Sequence, residues 1–196
     1  VPQLTLTEYV ILAAVTISAI TDLKTTKIYN WITLPAAVAG LALNLWLGYG
    51  AAGASGAAWA AFWSAVGWCL GVFLTAAPKH KRGESFLKGG DAKMWGAIGA
   101  CVMPLKMLIC WIYFSIGYGA VSAFLIARAA QPDEFKGFWP MVETCMAAIL
   151  NRPVAGDRGN IEAARKALIP IGPVIAAGTY LGIFFDKPLM QFMGLK

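Results

Sequence analysis

Long uncharged apolar runs alternate with short polar segments along this chain, and no run alternates strictly between apolar and polar residues. The pattern predicts membrane-crossing helices and argues against a β-barrel, whose strands keep a two-residue period. The first run covers about Tyr9 to Thr21. It falls short of the ~20 residues of a full crossing, so its helix is expected to continue to about Ile28. Asn30 or Thr33 can cap the next helix, with Pro35 tolerated near its start. The second run is about Trp31 to Leu47. An uncharged small-residue loop is expected from Gly48 to Gly56, flanked by Trp46 and Trp59 like an interfacial belt.

The third run, about Ala57 to Ala77, ends in a polar loop, Pro78 to Glu84, which leads to Lys88-Gly89-Gly90-Asp91. The fourth run, Met94 to Leu105, is again short, so its helix is expected to begin at Asp91. Pro104 and Lys106 are expected to form the turn into the fifth run, about Met107 to Ala127. A polar region from Arg128 to Lys166 contains one moderately apolar stretch, Phe138 to Leu150, which reads as an amphipathic interfacial helix. The sixth run is Leu168 to Phe185, opened by Ile169-Pro170-Ile171-Gly172-Pro173. The expected fold class is all-α: a polytopic membrane protein with about six transmembrane helices, one domain over residues 1–196.

Composition sharpens this reading. Hydrophobic residues make up 59% and charged residues 13%, against roughly a quarter charged in soluble domains. The net charge of +6 does not point to nucleic acid, because the cations lie in connecting segments, where they set orientation and touch lipid headgroups. With six crossings, 13 of the 16 Lys and Arg fall on one side and 3 on the other. The positive-inside rule then places Asp22, Asp91 and the long loop in the cytoplasm and both termini on the non-cytoplasmic side. The four cysteines include no C-x-x-C pair, and no metal or other cofactor is expected. No Lys or Arg precedes Asp22, so no cleavable signal peptide is expected.

Two acids stand where apolar runs meet basic stretches: Asp22 in Ile20-Thr21-Asp22-Leu23-Lys24, and Asp91 in Lys88-Gly89-Gly90-Asp91-Ala92-Lys93. A carboxylate at membrane depth is costly and marks a candidate functional site. Two brought close cannot both ionise cheaply, so one keeps a proton. The ionised partner can deprotonate water and the protonated one can donate to a carbonyl oxygen, which suffices to hydrolyse a peptide bond without metal. Gly89 and Gly90 would let a substrate strand approach Asp91 closely. Lys93 would tune the pair or reach to headgroups.

Each feature alone has an ordinary explanation. An Asp at a membrane-helix end is commonly a cap, and Gly-Gly before a helix is commonly a turn. His80 sits in a basic loop, and Asp157 and Glu162 in a polar one, where all three meet water. Pro170 and Pro173 can simply shape a helix start. The combination is more specific.

Asp22-Leu23-Lys24-Thr25-Thr26-Lys27-Ile28-Tyr29-Asn30 resembles the D-x-[RK]-x-x-x-I-P-N stretch of the type IV prepilin peptidase family, the A24 group of GxGD aspartic proteases. Lys88 to Lys93 resembles its G-x-G-D-x-K motif, and Ile169 to Pro173 its closing I-P-[FY]-G-P segment. Lys88 stands where the first Gly of the motif is expected, and Tyr29 where a Pro is. The resemblance implies a membrane endopeptidase of the bacterial cytoplasmic membrane that removes leaders from prepilin or pseudopilin precursors at the cytoplasmic face. It implies Asp22 and Asp91 as the catalytic pair, with Gly89, Gly90, Lys93, Pro170 and Gly172 contacting substrate. Paired cysteines of a methyltransferase region are missing, so a peptidase-only form is expected, like those of Flp-type or tight-adherence pili. The main alternative is a small proton- or ion-coupled transporter with an Asp relay, although inverted repeats and mid-membrane carboxylates are not visible. A non-catalytic assembly subunit, or a relative acting on archaellin-type precursors, is a further alternative.

Overall fold

A computed structural model describes residues 4–25, 27–76, 89–129, 171–187 and 190, with the backbone alone over 123–129. Four helices and no strand occur among the described residues: α1 (Leu6–Thr25), α2 (Asn30–Ala76), α3 (Gly89–Ala129) and α4 (Ile171–Phe184). The first three are long and apolar enough to cross a membrane, whereas α4 has 14 residues. The polar loop after Ala77, the expected helix at Phe138 to Leu150, Lys88, Pro170, Asp157, Glu162 and His80 lie outside the described residues.

Thr5 and Glu8 start α1 as a capping box. The Thr5 N–H donates to Glu8 Oε2 at 2.7 Å and the Glu8 N–H donates to Thr5 Oγ1 at 3.3 Å. The helix stops at Thr25, not near Ile28 as expected; residues 27–29 form a non-helical connector. Nor does a side chain of Asn30 or Thr33 cap α2. The Tyr29 carbonyl accepts the N–H groups of Ile32 and Thr33, at 3.1 and 3.3 Å, while the Asn30 side chain is engaged elsewhere.

Two breaks convert the long helices into hairpins. In α2 the helical geometry fails only at Ala52 and Gly53, where Gly53 has φ +63°, a region that costs glycine little. The expected loop from Gly48 to Gly56 is thus helical on both sides of a two-residue turn. Two of its glycines serve packing: a Cβ on Gly48 would lie 2.5 Å from the Gly56 carbonyl oxygen. Farther from the turn, Asn44 Nδ2 donates to Ser64 Oγ at 3.0 Å. The α3 break falls at Met103 (φ 65°, ψ 169°), directly before Pro104, so the expected turn at Pro104 and Lys106 is present. Trp95 on one limb packs edge-on against Trp111 and Phe114 on the other, at centroid distances of 4.7 and 5.2 Å.

The limbs meet through small residues. A Cβ on Gly67 or Gly99 would collide with the other's backbone, and Gly178 and Gly182 of α4 face Phe114 and Cys110 in the same way. Close backbone approach of this kind is how helices associate where lipid removes the hydrophobic drive. Polarity is distributed accordingly. Glu8, Ser18, Asp22, Asn44, Ser64, Asp91 and Thr179 are buried, while Trp31, Val38, Trp46, Trp59 and Phe73 are exposed. Polar groups face inward and large apolar groups outward, as suits a lipid solvent.

The chain divides into two compact units. One comprises Val1–Ser115 with Pro170–Lys196 and holds every contact described above. The other is Ile116–Ile169, of which the end of α3 is described.

Candidate active site

Asp22 lies in the last turn of α1 and Asp91 in the first turn of α3. Both are buried, each 5% exposed. The two carboxylate residues line one cleft of about 220 Å³, together with Lys27, Ile28, Tyr29, Asn30 and Gly90. An α-helix end and a helix start meet here because the 27–29 connector turns the chain from α1 into α2 beside the beginning of α3.

Asp22 is fixed from the side by α4. The backbone N–H of Gly172 donates to Asp22 Oδ2 at 2.7 Å. This N–H belongs to the first turn of α4, where it has no partner within the helix and where the helix dipole favours an anionic acceptor. Gly172 allows the approach because a Cβ there would lie 2.8 Å from Asp22 Cβ and 3.2 Å from Ala19 Cα. Oδ2 is thereby engaged.

Gly90 forms part of the cleft wall. A Cβ at this position would stand 2.7 Å from the Ile28 carbonyl oxygen, so any side chain would press on the connector. Gly89, one residue earlier, has nothing near its missing Cβ and is not in the wall. Lys93 lies beside the cleft. Its Nζ donates to Asn30 Oδ1 at 3.0 Å and so ties the start of α2 to the first turn of α3. Of the residues expected to contact substrate, Gly90 alone lines the cleft among those described, Gly172 acts on Asp22, and Pro170 lies outside the described residues.

The connector residues Lys27, Ile28 and Tyr29 were not singled out as site residues by sequence reasoning, nor was Asn30. The available signal was their place in the motif that follows Asp22. Two polar clusters remote from the cleft, one buried and one partly buried, also escaped it. Asn44 Nδ2 donates to Ser64 Oγ and to the carbonyls of Ala100 and Cys101, at 3.0, 2.9 and 3.2 Å. Lys106 Nζ pairs with Glu8 Oε1 at 2.6 Å and Asp186 Oδ2 at 3.1 Å.

Apolar helices with polar interiors mark a membrane protein, and two of its buried acids line one cleft. The chain belongs to the type IV leader peptidase family, whose model matches residues 9–125, more than half of the sequence and both aspartates. This is a protease family acting on protein precursors; Gly172 lies beyond the matched residues. No curated protein and no solved structure matches the chain.

Proposed function

We propose that this protein is an aspartic endopeptidase of the bacterial cytoplasmic membrane that removes the leader from prepilin or pseudopilin precursors, with Asp22 and Asp91 as its catalytic pair. The observation that carries this reading is the burial of both aspartates in the wall of a single cleft. The chain crosses the membrane six times, with both termini on the non-cytoplasmic side. The hairpin breaks at Gly53 and Met103 support this count by splitting α2 and α3 into two limbs each. The cleft end carries Lys24, Lys27 and Lys93, and the opposite end Lys106 and Lys187, which supports a cytoplasmic cleft.

The chemistry needs only the two side chains and water. One carboxylate, ionised, takes a proton as water attacks the scissile carbonyl carbon. Its partner, protonated, donates to the carbonyl oxygen as negative charge develops there. When the tetrahedral species collapses, the carboxylate left ionised takes the proton of one hydroxyl, the C–N bond breaks, and the protonated carboxyl gives its proton to the leaving amine. Amide and water become carboxylic acid and amine, and the dyad regains its starting state. The Gly172 N–H holds Asp22 so that Oδ1 meets the water. The bare Gly90 leaves room for the precursor's extended backbone beside Ile28.

The substrate is a protein whose apolar segment lies in the bilayer beside the enzyme, with membrane lipid as the other partner. Thirteen cations against eight acids leave the cytoplasmic segments net positive. A basic leader is therefore not drawn in by the summed field, and recognition rests on helix packing and on close approach at the cut. Protein in sealed vesicles, mixed with a prepilin, tests the reading by mass spectrometry of the product. Cleavage after the Gly that precedes the pilin's apolar helix is expected, from the face bearing the cleft. Ion flux without a cut product would instead support the transporter.

A further inference from the structure

At the end of the bundle opposite the cleft, Lys106 sits between two acids. Its Nζ lies 2.6 Å from Glu8 Oε1 and 3.1 Å from Asp186 Oδ2, and the Glu8 and Asp186 side chains are only 6% and 14% exposed. Glu8 opens α1, Lys106 follows the α3 break, and Asp186 follows α4. Nothing in the hydrolytic chemistry uses this cluster. Its position relative to the cleft is informative all the same.

Asp22 stands 14 residues after Glu8, and Asp186 stands 14 residues after Gly172. In helical geometry each interval is about 21 Å. Since α1 and α4 run in opposite directions, the Asp22–Gly172 contact at one end and the Glu8–Lys106–Asp186 cluster at the other are satisfied in one and the same register. Between them, Thr16 Oγ1 and Tyr180 Oη share a hydrogen bond at 3.0 Å in that register too. Apolar helix faces in lipid do little to select one register over another, because neighbouring side chains and acyl chains are alike in polarity. Polar ties must do so.

We propose that Lys106 is a positioning residue for Asp22: by clamping Glu8 and Asp186 it sets the α1–α4 register in which the Gly172 N–H meets the Asp22 carboxylate. The clamp rests on the peptidase reading for its consequence, but not for its geometry. Without the ammonium, two poorly hydrated carboxylates are left facing each other. They repel, and Glu8 lacks its counter-charge at membrane depth. The relief available to α1 is to slide toward the far interface and hydrate Glu8. That motion carries Asp22 away from Gly172 and brings Thr16 from Tyr180 toward Phe184, one turn on.

Lys106→Met and Lys106→Arg, compared in membranes, test this. Register is read by mass spectrometry of a short thiol cross-link, placed either between Thr16→Cys and Tyr180→Cys or between Thr16→Cys and Phe184→Cys. The expected result for Lys106→Met is kcat lowered at least tenfold with KM unchanged, together with a gain of the 16–184 link over the 16–180 link. Lys106→Arg should restore both readouts, since it keeps the charge. Wild-type kcat in Lys106→Met, or a lowered kcat with the cross-link pattern unchanged, overturns the clamp. Should Lys106→Met fail to accumulate, Asp186→Asn, which loosens one arm of the cluster, is judged by the same two readouts. Should the unaltered protein cut no pilin precursor, the peptidase reading falls, and the cross-links alone decide: a shifted register upholds the clamp and an unshifted one overturns it.

Discussion

Asp22 Oδ2 accepts the backbone N–H of Gly172 at 2.7 Å, across 150 positions of sequence. The contact joins the last turn of α1 to the first turn of α4. It gives the carboxylate a fixed orientation from a donor that cannot rotate away.

Gly172→Ala should therefore damage catalysis more than stability. The new methyl would stand 2.8 Å from Asp22 Cβ and 3.1 Å from Oδ2, so α4 must back away and the N–H with it. Cleavage rate is expected to fall about a hundredfold, the usual effect of misplacing a reacting group by an ångström or so. Overpacking should cost about 1–3 kcal/mol. Rate measurements at matched protein level, with thermal unfolding in detergent, check both. A wild-type rate in Gly172→Ala would mean that the contact plays no part in orienting Asp22.

The aspartates were legible in the sequence because a charge inside an apolar run is conspicuous whatever its partners. The α3 turn was legible because Pro104 cannot continue a helix in the ordinary way. The α2 turn was misread for the opposite reason. Eight small residues and Tyr49 look like a loop in water, but Gly48 and Gly56 pack closely as parts of two helical limbs, and only Ala52 and Gly53 leave the helix. Asn30 does not cap α2 because it is already the first helical residue, and its side-chain oxygen instead accepts from Lys93, 63 positions away. Glu8 and Lys106 pair across 98 positions. No local pattern reports such partnerships, as they arise only once the hairpins stack.

Met103 offers a test of the α3 hairpin. Its φ of 65° with ψ of 169° belongs to a region that only glycine occupies readily. Met103→Gly should raise stability by about 1 kcal/mol through relief of this strain, and leave cleavage unchanged, since the turn lies at the end away from the cleft. A lower melting temperature in detergent would show that the Met side chain matters more than its backbone strain.

Asn44 separates structural from catalytic polarity. Its amide joins both limbs of α2 to the first limb of α3. Asn44→Leu keeps the approximate shape and removes the donors, so stability should fall by about 1 kcal/mol. Cleavage by the folded fraction should persist, as Asn44 lies 14 residues along α2 from Asn30 at the cleft. Denaturation midpoints and specific activity, measured on the same samples, decide this. A loss of specific activity without loss of stability would contradict it.

The most direct measurement is prepilin cleavage by purified Asp22→Asn, Asp91→Asn and the double variant, each at wild-type abundance and melting temperature. If the two carboxylates share one proton and act as a unit, each single change should lower the rate at least a thousandfold, and the double change should be little worse than either, because groups acting together are not additive. Cleavage within tenfold of wild type by either single variant would contradict the account.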